Sequence, residues 1–391
     1  VALFSAGFAS VAFALVWVFS AGVSRALFEN TDGIWWVRLV AMDLLASSFV
    51  FVPFALLRIE GKASIFSTYS LIRHAANTVL KVILVMMGLG VTGALISDVA
   101  GSVLLALLLF VELKKRAVMA FDWAPLREAL RFGLPKVPHG ILVQTLNLAD
   151  RRILESFVSL AEVGVYQVGN TFAAAMKFPL SAFEPAWQPF VFEHAKKENG
   201  RREIALVATR MSIAFITAAL GLALILPDLL RLVSRNREYH AGAPIVPVMI
   251  LAYLFQGFFL LASVGITIAK EARYYPMITA ASAALNIGLN LWLIPHYGIL
   301  ASAWATVAGY ALMAFLGVAI SSRLYPIPIR WARVLGAFLA GVAFFLLGTL
   351  AGPGLAGAAL RAGLGLGFAV LVWSAILDEE DRNELRKVVF P

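Results

Sequence analysis

Cysteine is absent from the 391 residues. Disulfides and thiolate metal sites are therefore excluded. Histidine is scarce, with five scattered residues and no HExxH or comparable spacing, which argues against a metal enzyme. Charge is scarce too. Asp, Glu, Lys and Arg make up 14% of the chain, against about 25% in soluble domains. What fills the chain instead is apolar: 61% hydrophobic residues and a mean hydropathy of +0.86. Such a chain cannot supply a water-facing surface, so its outside faces lipid. Strand patterns are missing as well. Helices are the open-ended elements that satisfy their own backbone in a bilayer.

A hydrocarbon core needs about 20 apolar residues per helix. On that length the sequence divides into twelve predicted spans, at about 2–24, 34–57, 66–88, 92–112, 134–154, 163–192, 205–227, 244–268, 276–294, 299–321, 334–351 and 361–377. The connections are too short to hold a folded domain outside the membrane. The first stretch lacks the basic start and short apolar core of a signal peptide, and reads as a true span.

The net charge of +9 has a topological explanation. Alternate connections carry Arg58 and Lys62; Lys114, Lys115, Arg116 and Arg127; Lys196, Lys197, Arg201 and Arg202; Lys270 and Arg273; Arg323, Arg330 and Arg333; and Arg382, Arg386 and Lys387. The opposite side holds Arg25, Arg231, Arg235, Arg237 and Arg361. Lys and Arg collect in cytoplasmic loops, so the first set is expected in the cytoplasm together with both ends of the chain. Nucleic-acid binding is not needed to account for the charge.

Polar residues inside the spans fall in stripes. In the fifth, Lys136, Gly140, Gln144, Asn147 and Arg151 follow steps of three or four residues, one face of a helix, with Asp150 and Arg152 flanking its end. In the sixth, Tyr166, Asn170, Lys177, Ser181, Glu184 and Gln188 do the same, and Pro179, Pro185 and Pro189 are expected to bend the helix. The third carries Arg73, Asn77 and Lys81. A charge at mid-membrane costs about 2.5–3.5 kcal/mol on the insertion scale, so the charged stripes predict a wetted cavity. The uncharged stripe Thr279, Ser282, Asn286 and Asn290 reads as glue between helices. Trp187 reads as an aromatic anchor at the membrane interface. On their own helices, the cations Lys81, Lys136, Arg151, Arg152 and Lys177 have Asp150 and Glu184 as obvious partners, with Glu184 a stretched partner for Lys177. Surplus cations in a cavity suit an anionic ligand, phosphate above all.

Several segments resemble a known family. "FGLPKVPHG" at 132–140, "ADRRIL" at 149–154, "VGVYQVGNTFAAAMKFPLSAFEPAWQPF" at 163–190 and "NIGLNLWLIPHYGILASAWATVAGY" at 286–310 are similar to Wzx-type polysaccharide or O-antigen flippases. These belong to the multidrug/oligosaccharidyl-lipid/polysaccharide exporter superfamily. The resemblance implies an all-α integral membrane fold: about twelve helices here, in two pseudo-symmetric lobes around a central cavity, plus two extra C-terminal helices. It implies an incomplete four-span lobe at 1–130, a six-helix lobe at 131–325, and two extra helices with a tail at 326–391. It also implies that the first lobe lacks the family's first two helices.

The function so implied is transport without covalent chemistry or a cofactor. A flippase would move undecaprenyl-diphosphate-linked oligosaccharide from the inner to the outer leaflet of a bacterial plasma membrane, for polysaccharide or lipopolysaccharide export. Its substrate-binding cavity would be lined by Arg73, Lys81, Lys136, Gln144, Asn147, Asp150, Arg151, Arg152, Asn170 and Lys177, with the diphosphate engaging the cations among them. Membrane lipid, a coupling proton or sodium ion and other polysaccharide-assembly proteins are the further expected partners. Asp43 and Asp98 are candidate coupling groups, because acids in spans are rare. Two alternatives are a multidrug or cation antiporter of the same superfamily, which would favour acids in its cavity, and a membrane polymerase or glycosyltransferase, which would need a larger surface loop than residues 228–243.

Overall fold

A computed structural model describes residues 2–28, 33–60, 62–114, 122–134, 136–234, 236–352 and 354–376. Every regular element among them is a helix. The chain separates into two compact units, 1–130 and 131–391.

The first unit holds α1 (Ala2–Val18), α2 (Ser20–Phe28), α3 (Ile34–Ile59), α4 (Ala63–Leu84) and α5 (Gly90–Lys114). α3 packs on α1 and α5, and α5 also packs on α4. The chain reverses between α4 and α5 at Gly88, whose φ of 87° is open to glycine at no steric cost. A small core of Val50, Leu57, Leu105 and Leu109 joins α3 to α5. α6 (Trp123–Gly133) then carries the chain across the boundary between the units.

The second unit holds α7 (Lys136–Phe157), α8 (Leu160–Ala173), α9 (Lys177–His194), α10 (Gly200–Val233), α11 (Ile245–Ala262), α12 (Val264–Ile268), α13 (Tyr274–Leu324), α14 (Trp331–Thr349) and α15 (Leu355–Leu371). α13 is two helices in one: Gly298, at φ 62° and ψ −148°, turns the chain between them. α13 packs against α7 and α11, while α10 takes α11 on one side and α14 and α15 on others. The main core runs along α8, α10 and α11, through Met176, Ile204, Leu230, Val246 and Ile250. An ion pair of 2.7 Å between Arg361 and Asp228 ties α15 to the end of α10.

Seven helices among the described residues are long and apolar enough to cross a membrane, and the bent pair Phe4–Val18 and Ser20–Ala26 makes an eighth. Two of the seven, Ile65–Val111 and Tyr274–Leu324, are the pairs folded at Gly88 and Gly298. The protein is thus a multi-pass, all-helical membrane protein. α7 and the α8–α9 segment do not meet that hydropathy test, and they carry the polar stripes seen in the sequence.

The α8–α9 segment is broken by a single tight turn at Ala174–Met176. Pro179 explains its place. Its ring lacks an N–H and would clash with the carbonyl four residues earlier, at Ala175. Pro185 and Pro189 lie more than a turn further into α9, so the break belongs to Pro179.

Trp187 corrects the sequence reading. It is 2% exposed and stacks between Phe183 and Phe190 inside the bundle, so it does not anchor the interface. The helix rotation that puts Lys177, Ser181 and Glu184 outward turns Trp187 inward.

The uncharged stripe of α13 is fully buried: Thr279, Ser282, Asn286 and Asn290 are each 0% exposed. Asn290 donates to Asn286 at 3.1 Å, and Asn286 donates to Thr306 at 3.4 Å across the fold of α13. Thr279 donates to the Tyr275 carbonyl at 2.9 Å, so it accepts the 2.5 Å bond from His139 Nδ1 on α7. This stripe holds helices together, as its uncharged composition predicts.

Candidate functional site

Each unit presents its own charged face. In the first, α4 brings Arg73, Asn77 and Lys81 to one side, one turn apart. α5 answers with Asp98 and Ser102, and α3 with Asp43. Lys81 Nζ lies 2.8 Å from Asp98 Oδ1, and Asn77 Nδ2 donates to the same oxygen at 2.9 Å. Mid-span, Ser102 Oγ donates to Asp43 at 2.6 Å and accepts from Arg73 at 3.1 Å and Ser47 at 3.2 Å. One hydroxyl proton and two lone pairs are thereby all used. Two cations meet two carboxylates, so the cluster is close to neutral.

The Lys81–Asp98 pair is nevertheless open, with side chains 40% and 37% exposed. Charges at this depth do not face hydrocarbon. The α4–α5 face of the first unit is therefore a polar face turned away from lipid.

The second unit's charged face is on α9. Lys177, Ser181, Glu184 and Gln188 are all exposed. Lys177 sits midway between Leu160 and His194, the ends of the α8–α9 segment, so the middle of the span carries its charge. Glu184 is not its partner. The Lys177 ammonium rests 4.4 Å from the centre of the Tyr253 ring on α11, and no carboxylate among the described residues pairs with it. The Tyr253 hydroxyl donates to Asn170 Oδ1 at 2.6 Å. Asn170 and Lys177, seven residues apart on the stripe, meet through this one ring.

The remaining predicted residues distribute as follows. Arg152 is exposed and lies 3.4 Å from Glu155, one turn on. Lys136, Gln144, Asn147, Asp150 and Arg151 belong to α7, and their side chains lie outside the described residues. Sequence spacing missed Tyr253, an apolar-looking member of "ILAYLFQG", because only tertiary packing brings α11 beneath Lys177. It also left Lys81 without a counter-charge, because Asp98 sits on the next helix.

The described residues contain no grouping of His, Asp and Glu that could hold a metal. What the two charged faces can do is solvate a charged group at membrane depth.

Comparison with known proteins decides the family. Residues 1–226 match the model of the family described as "Polysaccharide biosynthesis protein". The chain belongs to this polysaccharide biosynthesis protein family. None of the curated proteins compared with it matches.

Solved structures share its fold. One is a MATE-family multidrug resistance transporter of the MOP superfamily in an outward-facing conformation, with TM-score 0.67, 15% identity, 86% of this chain and 78% of that chain. A second is a MOP superfamily transporter from Pyrococcus furiosus described as having a binding pocket of reversed polarity, with TM-score 0.68, 14% identity, and the same coverage of 86% and 78%. A third is the lipid II flippase MurJ in an inward closed conformation, with TM-score 0.63 and 12% identity, covering 100% of this chain and 85% of that one. This polysaccharide biosynthesis protein therefore shares the fold of these solved structures.

Proposed function

We propose that the protein is a flippase for polyprenyl-diphosphate-linked oligosaccharide. The observation that carries this reading is Lys177: an exposed ammonium in the middle of a span, paired with no described carboxylate. A cation so placed suits an anionic head group crossing the membrane. Membership of the polysaccharide biosynthesis family and the fold shared with the lipid II flippase support a lipid-linked glycan as the bearer of that group. Arg73 and Lys81 on the face of the first unit, and Asn170 and Arg152 in the second, are assigned as further contacts of the head group, and Lys136, Gln144, Asn147, Asp150 and Arg151 by their spacing on α7. The glycan travels in water and the prenyl tail stays in lipid. The two units act as the alternating halves of the transporter. A proton or sodium gradient drives the cycle, with Asp43 and Asp98 as coupling groups.

The direction assigned is from the inner to the outer leaflet of a bacterial plasma membrane, with both ends of the chain cytoplasmic. The basic residues of alternate connections support that orientation.

The test is movement of a labelled polyprenyl-diphosphate oligosaccharide across proteoliposome bilayers. Lys177→Ala is expected to slow it by about 10- to 100-fold, the worth of one charge-assisted contact, with insertion unchanged. Equal rates in variant and wild type overturn the role of Lys177. Absence of glycan-lipid movement together with export of a cationic drug would instead establish the antiporter reading, which the fold shared with multidrug transporters favours.

A further inference from the structure

Tyr253 holds the ammonium of Lys177, at mid-span in the second unit, and its own hydroxyl is held in turn. The ring is 3% exposed, so it is fixed by its surroundings. The Asn170 amide oxygen, 2.6 Å away, fixes the hydroxyl end. The lysine above it stays exposed. A buried ring thus lies under the lysine, and the other side of the ammonium is open.

We propose that Tyr253 is a positioning residue for anion recognition: it fixes the Lys177 ammonium, in advance of binding, where a phosphate-bearing head group meets it. This rests on the flippase reading and adds to it the residue that sets the geometry. Two physical points carry the proposal. A lysine has four rotatable bonds, and immobilising such a side chain at the moment of binding weakens binding by about two- to tenfold. The negative face of an aromatic ring attracts an ammonium without neutralising it, whereas a carboxylate there would cancel the charge that the ligand needs. The contrast lies within the molecule. In the first unit Lys81 is held by Asp98, a carboxylate, and in the second Lys177 is held by a ring. Both lysines have a partner, but no carboxylate among the described residues cancels the charge of Lys177.

The break in the α8–α9 segment assists. Lys177 is the first residue after the turn at Ala174–Met176, so its backbone is aimed by that turn. Asn170 lies in α8, before the turn. The Asn170–Tyr253–Lys177 bridge therefore spans the break and fixes one arm against the other through α11.

The decisive experiment replaces Tyr253 by phenylalanine and then by phenylalanines carrying one, two and three ring fluorines. Fluorination drains the negative face of the ring with little change of shape, so folding is preserved. Transport of the labelled polyprenyl-diphosphate oligosaccharide is measured in proteoliposomes. In parallel, the protein is reductively methylated with ¹³C, and the N-methyl resonance of Lys177 is assigned by its loss in Lys177→Arg. The expected result is an upfield ring-current shift in wild type and Tyr253→Phe that diminishes with fluorination. KM is expected to rise in step, by about two- to tenfold across the series, the equivalent of the immobilisation term above. The maximal rate at saturating substrate should change less than KM.

A wild-type Lys177 resonance without the shift overturns the proposal. So does a KM that stays constant while the shift is lost, or a KM that falls, which would make the ring a competitor of the ligand. If the shift is intact but wild-type protein moves no glycan lipid, the flippase reading fails on its own account, and the placement of Lys177 by Tyr253 stands.

Discussion

Neutralising Asp98 should release Lys81, and the size of the effect follows from the contacts. The carboxylate accepts from Lys81 at 2.8 Å and from Asn77 at 2.9 Å. An exposed ion pair contributes about 0.2–1 kcal/mol, while breaking a buried one costs about 3–5 kcal/mol. With side chains 40% and 37% exposed, this pair falls between, nearer the exposed limit. We expect a coupling energy of about 1–2 kcal/mol between the two residues. The cycle compares wild type, Lys81→Met, Asp98→Asn and the double variant. Stability is read from tryptophan fluorescence during reversible unfolding in mixed micelles. Asp98→Asn alone should lose the most, because it leaves an ammonium at membrane depth without its counter-charge. The double variant should lose less than the two single variants together. Additivity within about 0.3–0.5 kcal/mol would refute the pairing and return Lys81 to the free cations.

Two further outcomes test other parts of the structure. The Gly265 amide donates to Ser321 Oγ at 2.8 Å, and a Cβ at that position would overlap the Ser321 hydroxyl and carbonyl; Gly265→Ala should therefore destabilise by about 1–3 kcal/mol in the same unfolding assay. At the start of α8, Ser159 and Glu162 form a reciprocal cap just before the sixth span. The Ser159 backbone N–H, and then its hydroxyl, hold the Glu162 carboxyl below its usual range. A carboxylate depressed in the folded state stabilises above its ordinary titration range, and that contribution disappears as pH falls through the depressed value. Unfolding free energy measured from pH 7 to pH 3 should thus fall less steeply in Glu162→Gln than in wild type, and equal slopes would contradict the cap.

Composition alone determined that this protein lives in lipid. A chain 61% hydrophobic and 14% charged has no other stable solvent, and an open-ended backbone segment in hydrocarbon must be helical. Helical spacing also determined which residues share a face, because three- and four-residue steps return to the same side of one helix. That is why the burial of Thr279, Ser282, Asn286 and Asn290 together was legible, and why Lys177, Ser181 and Glu184 come out side by side. Spacing has no reach beyond its own helix. Whether Lys81 is neutralised depended on Asp98, seventeen residues away on the antiparallel arm of a glycine turn. Whether Lys177 is neutralised depended on α11 bringing a tyrosine rather than a carboxylate beneath it. The inward turn of Trp187 was equally a matter of how α9 rotates once Pro179 has broken the helix before it. Chain chemistry fixed the solvent and the stripes, while packing between helices decided which charges in those stripes are left to act.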